Sequence, residues 1–391
     1  MIALASTACA SPGMPPGGPP DVAAPQLVAV APDTGRTRTK PKEVIFRFDE
    51  IVAERPPGVT TLADLFLISP RDGTPDVSWH REEIAVRPRR GWRPNTTYTV
   101  TMLRGIADLR GNVRNTGAST FFSTGPSIPR THVTGTVFDW VAGTPASGSL
   151  VEALVPPDTT HAYVAVADSS GQFSLEHLAA GRYMVRAFVD RNRNRGIDPG
   201  ESWDSVTVDL TDSAAAELFI FAHDSLPPRI RDVAAIDSLS LRVTFDKPVD
   251  PQQSLTSANF SVTGPDSATV PIAGVGPVPK DTIATPAPSR AVQSRPPVRV
   301  PRDTTTKARP VMSRPAPIAS VLIRLERPLV PKSVYRIRAI GLRGLLGQSG
   351  DSEHAYTVPA PAPPAPAKST PPPAGTTPPP VNPTPPPAGR Q

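Results

Sequence analysis

The sharpest chemical signal in the sequence is a run of oxygen-bearing side chains between residues 190 and 201. The run reads D-R-N-R-N-R-G-I-D-P-G-E, so carboxylate or amide oxygens stand at positions 1, 3, 5, 9 and 12. Ca²⁺ is a hard cation that takes about six to eight such oxygens, with a bidentate carboxylate at position 12 of the EF-hand loop. The spacing predicts a weak calcium site on five residues: Asp190, Asn192, Asn194, Asp198 and Glu201.

Three features of the same run oppose a helix-flanked calcium site. Gly196 falls at position 7, whereas the EF-hand turn needs glycine at position 6, where Arg195 stands. The flanking segments 183–189 and 206–210 have the alternation of strands, and the interleaved arginines lower the affinity for a cation. The alternative is an Asx-rich turn whose side chains cap its own backbone. Nothing else in the sequence requires a cofactor.

The other residues that could do chemistry form no catalytic or zinc-binding set. The six histidines include no two at ligand spacing, and the sequence contains no G-x-S-x-G, H-E-x-x-H or phosphate-binding glycine motif. Glu82 and Glu83 are adjacent, so on a strand they point to opposite faces and make a poor glycosidase pair. We therefore expect a protein without enzymatic activity.

The single cysteine, Cys9, follows the stretch M-I-A-L-A-S-T-A. An apolar stretch that ends in small residues before a cysteine resembles the end of a bacterial lipoprotein signal, in which the cysteine becomes lipidated. Leu4 lies five residues before Cys9 rather than the usual three, and a charged leading segment is missing, so we expect the true start to lie upstream. The alternative is a cytoplasmic protein with an apolar N-terminus and a free thiol.

The composition indicates several small β-domains joined by proline-rich segments. The 391 residues include 53 Pro and 27 Gly, and no apolar run reaches the roughly 18 residues of a membrane-spanning helix. Short alternating segments are separated by turn signals, which is typical of β-sandwiches. In the segment 43–48, Val44, Phe46 and Phe48 should face a core while Arg47 faces water.

Two parts of the chain repeat each other. Phe48-Asp49 and the later Tyr98 correspond to Phe245-Asp246 and Tyr335, but the second spacing is 40 residues longer. A basic, proline-interrupted stretch of 39 residues, 278–316, accounts for the difference and predicts a disordered insertion. Its eight basic and two acidic residues carry the whole net charge of +6 without interleaved aromatics, so we expect no specific nucleic-acid partner.

The repeated motifs carry a family resemblance. F-D-E at 48–50, W-R-P-N-T-T-Y at 92–98 and G-I-A-D-L-R-G-N at 105–112 resemble the bacterial Ig-like domains of the S-layer SbsA type. The second copy departs from the pattern at 341–344, where it reads G-L-R-G. The resemblance implies a sandwich that serves as a spacer, adhesion or assembly module at the cell envelope, without catalytic residues.

The middle of the chain has a different pattern. Its strands around D-S-S-G at 168–171 and G-R-Y at 181–183 resemble the carboxypeptidase regulatory-like, prealbumin-type sandwich, which is an accessory module. Asp168 and Gly171 suit a hairpin turn. The predicted core residues of this domain are Phe173, Leu175, Leu178 and Tyr183.

Together these patterns predict an all-β chain of three tandem β-sandwich domains (Ig-like, prealbumin-like, Ig-like) with a disordered basic insertion and a Pro-rich C-terminal tail. We expect a non-catalytic envelope lipoprotein that acts as a structural, adhesion or assembly module. Its expected partners are membrane lipid, through Cys9, and an unidentified envelope or surface protein or polysaccharide. We expect it in the outer membrane, because Ser11 is not the aspartate that typically retains lipoproteins in the inner membrane. The alternative is a carbohydrate-binding or accessory module that serves a separate enzyme or transport complex. The predicted segments are a partial lipoprotein signal (1–9), a Pro/Gly tether (10–24), an Ig-like domain (25–125), the prealbumin-like sandwich (130–222), a second Ig-like domain with its insertion (225–357) and the tail (358–391).

Overall fold

The computed structural model describes residues 20–279 and 311–360, so Cys9, most of the predicted insertion and nearly all of the tail lie outside the described residues. Regular structure in these ranges consists of strands and two short 3-10 helices, Leu62–Leu65 and Ser257–Asn259. Within them, no helix has the length and apolar character needed to cross a membrane. The expected all-β class with tandem sandwiches is confirmed.

The first sandwich contains one sheet of order β1-β2-β5-β4 and a second of order β3-β6-β7. Val44, Phe46 and Phe48 are buried while Arg47 is exposed, which confirms the predicted alternation. Its strands are β1 (Leu27–Ala31), β2 (Val44–Phe48), β3 (Phe66–Ser69), β4 (Asp76–His80), β5 (Glu83–Arg87), β6 (Thr97–Met102) and β7 (Ala118–Ser123).

The segment after β1 crosses from one sheet of this sandwich to the other. The amide of Gly35 donates to the carbonyl of Phe121 (2.8 Å), and the amide of Ser123 donates to the carbonyl of Arg36 (2.8 Å). This parallel pairing covers the outer edge of β7. A covered edge leaves fewer unpaired backbone groups for other chains to pair with.

The second sandwich has the strand order β11-β10-β13-β14-β15-β8-β12, with β9 beside β8. The predicted core residues Phe173, Leu175, Leu178 and Tyr183 are buried. Its strands are β8 (His132–Asp139), β9 (Thr144–Pro145), β10 (Leu150–Val155), β11 (Asp158–Val166), β12 (Gln172–Glu176), β13 (Gly181–Phe188), β14 (Ser202–Leu210) and β15 (Ser213–Ala222).

The turn at 168–171 forms, but the predicted hairpin is wrong. The amide of Gly171 donates to the carbonyl of Asp168 (3.0 Å), which closes the turn. The strand before it, β11, pairs with β10, whereas the strand after it, β12, pairs with β8. The turn therefore passes the chain from one pair of strands in the sandwich to another.

The third sandwich repeats the strand order of the first and adds one edge strand, β19. Its sheets have the orders β16-β17-β21-β20 and β19-β18-β22-β23, and a short 3-10 helix again precedes the equivalent of β3. Its strands are β16 (Ile230–Asp237), β17 (Ser240–Val249), β18 (Phe260–Thr263), β19 (Thr269–Val270), β20 (Ile272–Pro277), β21 (Ile318–Leu325), β22 (Val334–Arg343) and β23 (Ser349–Thr357).

Equivalent side chains make equivalent hydrogen bonds in the two copies. The carboxylate of Asp49 accepts from the amide of Gln26, and that of Asp246 accepts from the amide of Arg229, both at 2.7 Å. The hydroxyls of Tyr98 and Tyr335 each accept from a backbone amide five residues earlier, at 2.9 and 3.0 Å. The repeated motifs are therefore structural: each closes a loop at the end of its sandwich.

The second copy differs from the first at its insertion and at its last turn. The insertion separates β20 from β21, the equivalents of β4 and β5. Residues 311–316, which we predicted to be disordered, instead pack against the second sandwich, because Arg314 stacks on Trp140. At the G-L-R-G departure, β22 and β23 continue into a tight turn in which the amide of Gly347 donates to the carbonyl of Gly344 (2.9 Å).

Candidate functional site

The oxygen-rich loop 190–201 connects β13 to β14 on the side of the second sandwich that faces the first. Its last residue, Glu201, is 5% exposed. One carboxylate oxygen of Glu201 accepts from the amide of Arg191 (2.9 Å), and the other accepts from the amide of Asp198 (3.1 Å). Glu201 thus ties the start and the end of the loop together.

Asp198 is the centre of the exposed part of the loop. Its Oδ2 accepts from the side-chain amides of Asn192 (2.6 Å) and Asn194 (2.7 Å). The Oδ1 atoms of these asparagines in turn accept from the backbone amides of Asn194 (3.0 Å) and Gly196 (2.7 Å). The structure therefore brings Asn192, Asn194 and Asp198 together, with Glu201 joined to them through the backbone of Asp198.

Asp190 lies at the buried end of the loop. Its Oδ2 accepts from the amide of Arg195 (3.0 Å), whereas its Oδ1 is buried without a hydrogen-bond partner. A buried carboxylate oxygen without a partner is costly because it has lost its hydration. Asp190 therefore keeps one oxygen available to a donor or a cation.

Arg195 makes the turn for which an EF-hand uses glycine. Its φ is +60°, in the left-handed region that favours glycine. Its guanidinium leaves the loop and donates to two carbonyls of the first sandwich, those of Ala63 (2.7 Å) and Phe66 (2.8 Å). Burial, followed by the nearby Arg71, lowers the pKa of Arg195. The guanidinium of Arg195, whose charge would oppose a bound cation, thus points away from the oxygens of the loop.

A buried ionic triad lies beside this contact. Glu152 of the second sandwich is fully buried and forms salt bridges with Arg71 of the first sandwich and Arg186 of its own sheet. The Nε of Arg186 donates to Oε2 of Glu152 at 2.8 Å, and Nη2 of Arg71 also donates to the carbonyl of Arg195 at 3.0 Å. Arg71 therefore links the triad to the loop.

Apolar side chains and backbone pairing complete the junction between the first two sandwiches. Leu67 of β3 packs in one cluster with residues of the second sandwich, among them Leu154 and Phe188. The amide of Arg71 donates to the carbonyl of Ala162 (2.7 Å), and the amide of Val164 donates to the hydroxyl of Ser69 (2.9 Å). We did not predict this junction from the sequence.

A second acidic group belongs to the first sandwich. Carboxylate oxygens of Asp21, Glu50 and Asp108 lie within 4.8 Å of one another. Burial, then the charges of Asp21 and Asp108, raises the pKa of Glu50. Asp108 also accepts from the amides of Arg110 (2.9 Å) and Asn112 (2.8 Å), so its role is to close the G-I-A-D-L-R-G-N loop.

The tryptophans Trp92, Trp140 and Trp203 all pack against protein groups. Trp92 is 5% exposed and packs edge-on against Tyr98, while Trp140 is 2% exposed. Trp203 is half-buried and lies 3.9 Å, centroid to centroid, from the ring of His223. The buried Trp92 and Trp140 cannot supply the exposed aromatic pair that a carbohydrate-binding module needs.

Taken with the fold, these sites define a tandem β-sandwich protein whose candidate loop joins two sandwiches. The family model described as the bacterial Ig-like domain matches residues 21–124. The first sandwich is therefore a bacterial Ig-like domain, as its motifs implied. No curated protein matches the chain.

Several solved surface proteins are similar to the chain at low identity. The N-terminal part of the bacterial S-layer protein SbsC is 23% identical over 35% of this chain and 25% of that chain, with a TM-score of 0.21. The TIE protein of Bacillus anthracis is 12% identical over 88% of this chain and 56% of that chain, with a TM-score of 0.17. The major pilin subunit BcpA of Bacillus cereus is 7% identical over 48% of this chain and 66% of that chain, with a TM-score of 0.18. The chain thus spans about a quarter of the S-layer fragment.

Proposed function

We propose that the protein is a non-catalytic structural or adhesion protein of the cell envelope. In this proposal its two Ig-like domains are of the S-layer SbsA type and flank a carboxypeptidase regulatory-like sandwich. The observation that supports it best is the junction of the first two sandwiches, which combines a buried ionic triad with apolar packing. Domains of one chain move relative to one another unless their interface is extensive and apolar, so this junction suits a fixed spacer.

The proposed anchor is a lipid on Cys9. A diacylglycerol with a further acyl chain binds membranes stably, whereas a single chain binds them only marginally. The glycine- and proline-rich segment 10–24 would then separate the anchor from the first sandwich. Ser11 favours the outer membrane, because the usual inner-membrane signal is an aspartate at that place.

The anchor is tested by intact mass and detergent partitioning of the protein expressed from its native locus, in wild type and Cys9→Ala. We expect a lipid-sized mass increment and recovery in the detergent phase, both lost in Cys9→Ala. An unmodified protein in the aqueous phase of wild-type cells would refute the anchor.

The structural role is tested separately in a deletion strain. We expect weaker resistance to osmotic or detergent stress, or weaker adherence, restored by the wild-type chain and not by Cys9→Ala. A deletion strain that equals wild type in all three measurements would refute the structural or adhesive function while leaving the anchor intact.

We propose in addition that the loop 190–201 binds Ca²⁺ weakly. The supporting observation is the buried, unpartnered Oδ1 of Asp190 within a loop that also carries Asp198 and Glu201. The amides of Asn192 and Asn194 can turn their oxygens toward a cation, because the two ends of an amide are nearly isosteric. Arg195 does not oppose the cation, since its guanidinium is held by carbonyls of the first sandwich.

The calcium proposal is tested by titration calorimetry with CaCl₂ on the full chain. We expect a dissociation constant on the order of 10⁻⁴–10⁻³ M, the range of extracellular calcium modules. Asp198→Asn should weaken binding at least tenfold, whereas Asp76→Asn, an exposed aspartate of the first sandwich, should leave it unchanged. No heat of binding at millimolar Ca²⁺, or equal binding by Asp198→Asn, would refute the site.

A further inference from the structure

The outer face of the second sandwich is aromatic where a solvated sheet face is polar. In β15, Leu218 and Ile220 lie in the core between the sheets, so Phe219 and Phe221 point to the opposite face. Phe219 is the register partner of Phe138 in the parallel strand β8, and the two rings stack with centroids 5.7 Å apart. Phe138 and Phe219 are nevertheless buried, so another part of the protein covers this outer face.

The cover is a segment from the end of the predicted insertion, residues 311–317. The guanidinium carbon of Arg314 lies 3.7 Å from the ring centroid of Trp140, and the indole Nε1 of Trp140 donates to the carbonyl of Pro315 at 2.8 Å. The hydroxyl of Ser313 hydrogen-bonds to the carboxylate of Glu217. Three successive residues therefore each make a different polar or stacking contact, which fixes both the direction and the register of the segment.

We propose that this outer face, formed by Phe138, Trp140, Glu217, Phe219 and Phe221, is a recognition site for arginine–proline peptide segments, and that residues 313–315 occupy it as a ligand held in cis. A planar guanidinium stacks on an indole better than an ammonium does. Aromatic grooves also bind proline-containing segments, whose backbone loses little entropy on binding. The face thus has the chemistry to recognise the segment independently of its covalent attachment.

Occupation of this site is coupled to the position of the third sandwich. Residue 317 is followed directly by β21, so the bound segment ties that strand to the second sandwich. Met312 of the covering segment and Leu345 of the third sandwich pack against the same aromatic cluster. A cavity of about 290 Å³ beside it is lined by both sandwiches, with Phe221 and Lys247 among its walls. Release of the segment would therefore also loosen the junction of the last two sandwiches.

The test uses the full chain with the segment opened by Ser313→Gly, Arg314→Ser and Pro315→Gly together. The probe is a synthetic peptide of residues 311–317, V-M-S-R-P-A-P, titrated by NMR observation of the backbone amide signals of the protein. A short tether gives the cis segment a millimolar effective concentration, so the titration should extend to about 10 mM peptide. We expect saturable binding to the opened variant and at least tenfold weaker binding to wild type, whose site is filled.

Three controls make the result specific. Trp140→Leu in the opened variant should abolish saturation, and a peptide with lysine in place of arginine should bind several-fold more weakly. Arg338→Ser, an exposed arginine of β22, should leave the site closed as in wild type. A folded opened variant that shows no saturable binding, or that binds equally after Trp140→Leu, would overturn the proposal.

The single variant Arg314→Ala serves if the triple variant fails to fold. It removes the stacking contact alone and should admit the peptide more readily than wild type does. Equal peptide affinity in Arg314→Ala and wild type would overturn the proposal.

Discussion

Replacing Arg71 by alanine should uncouple the first two sandwiches without harming either core. Arg71 belongs to the first sandwich, but its guanidinium contacts Glu152 and the carbonyl of Arg195 in the second. Glu152 is fully buried and keeps Arg186 as a partner after the substitution. The substitution therefore removes the ionic contact across the junction. The remaining pair, Glu152 with Arg186, has no net charge.

The cost of this substitution follows from the hydrogen bonds that the Arg71 guanidinium makes across the junction. A hydrogen bond to a charged group contributes about 1.5–3 kcal/mol, and one more bond adds about 1 kcal/mol. Because Arg186 still neutralises Glu152, the cost stays at the low end of the roughly 3–5 kcal/mol for breaking a buried ion pair. We expect about 3 kcal/mol, which in a unit of about 200 residues is a shift in Tm of about 6–12 °C.

The assay is differential scanning calorimetry of the full chain, compared with Arg47→Ala. Arg47 pairs with Glu83 within the first sandwich, and its side chain is 61% exposed, so that substitution should cost about 0–1 kcal/mol. In Arg71→Ala we expect the transition shared by the first two sandwiches to split in two. An unsplit transition with a shift no larger than that of Arg47→Ala would refute the coupling.

Three further predictions concern single residues. Gly135→Ala should leave the second sandwich unfolded, because a Cβ there would lie 1.8 Å from the carbonyl oxygen of Ala216; soluble protein resistant to limited proteolysis would contradict this. Tyr335→Phe should lower the free energy of unfolding of the third sandwich by about 1 kcal/mol in urea titrations, because the amide of Val330 loses its acceptor; no change would contradict it. Burial, the largest cause, lowers the pKa of His223 below 6.5, so the folded state binds this proton less readily and loses stability as the pH falls below about 6.5. His223→Gln should therefore reduce the drop in Tm between about pH 7.5 and 5.5, and an equal drop in wild type and variant would refute this.

The parts of the fold that follow from local patterns could be predicted from the sequence. Val44, Phe46 and Phe48 alternate at the period of a strand, and each is buried as that period requires. The internal repeat was visible because Asp49 and Asp246 begin motifs with the same local task, that of closing the first strand onto its neighbour. Such motifs repeat in sequence because they act over short distances.

The junction of the first two sandwiches could not be predicted in the same way. Arg71 and Glu152 are 81 residues apart, and no local pattern distinguishes them from solvated residues. The available signal was indirect: Phe66, Leu67 and Ile68 do not alternate with polar residues, and such a run predicts a strand buried on both faces. The continuous apolar run Leu218–Phe221 likewise predicts a strand that is buried on both faces, and its outer face is the one that Arg314 covers.

The two junctions of the chain differ in kind, and that difference predicts which one opens first. The first combines a fully buried carboxylate, two arginines, backbone pairing and apolar packing, so opening it separates Arg71 from Glu152 and exposes the apolar cluster around Leu67. The second depends on the segment 311–317, whose arginine stacks on an aromatic face and regains full hydration on release. Under load or mild denaturant, the third sandwich should therefore separate from the second while the first two stay joined. A chain built in this way holds a fixed spacing between its first two sandwiches, and it would expose the proposed peptide-binding face only after its last junction has opened.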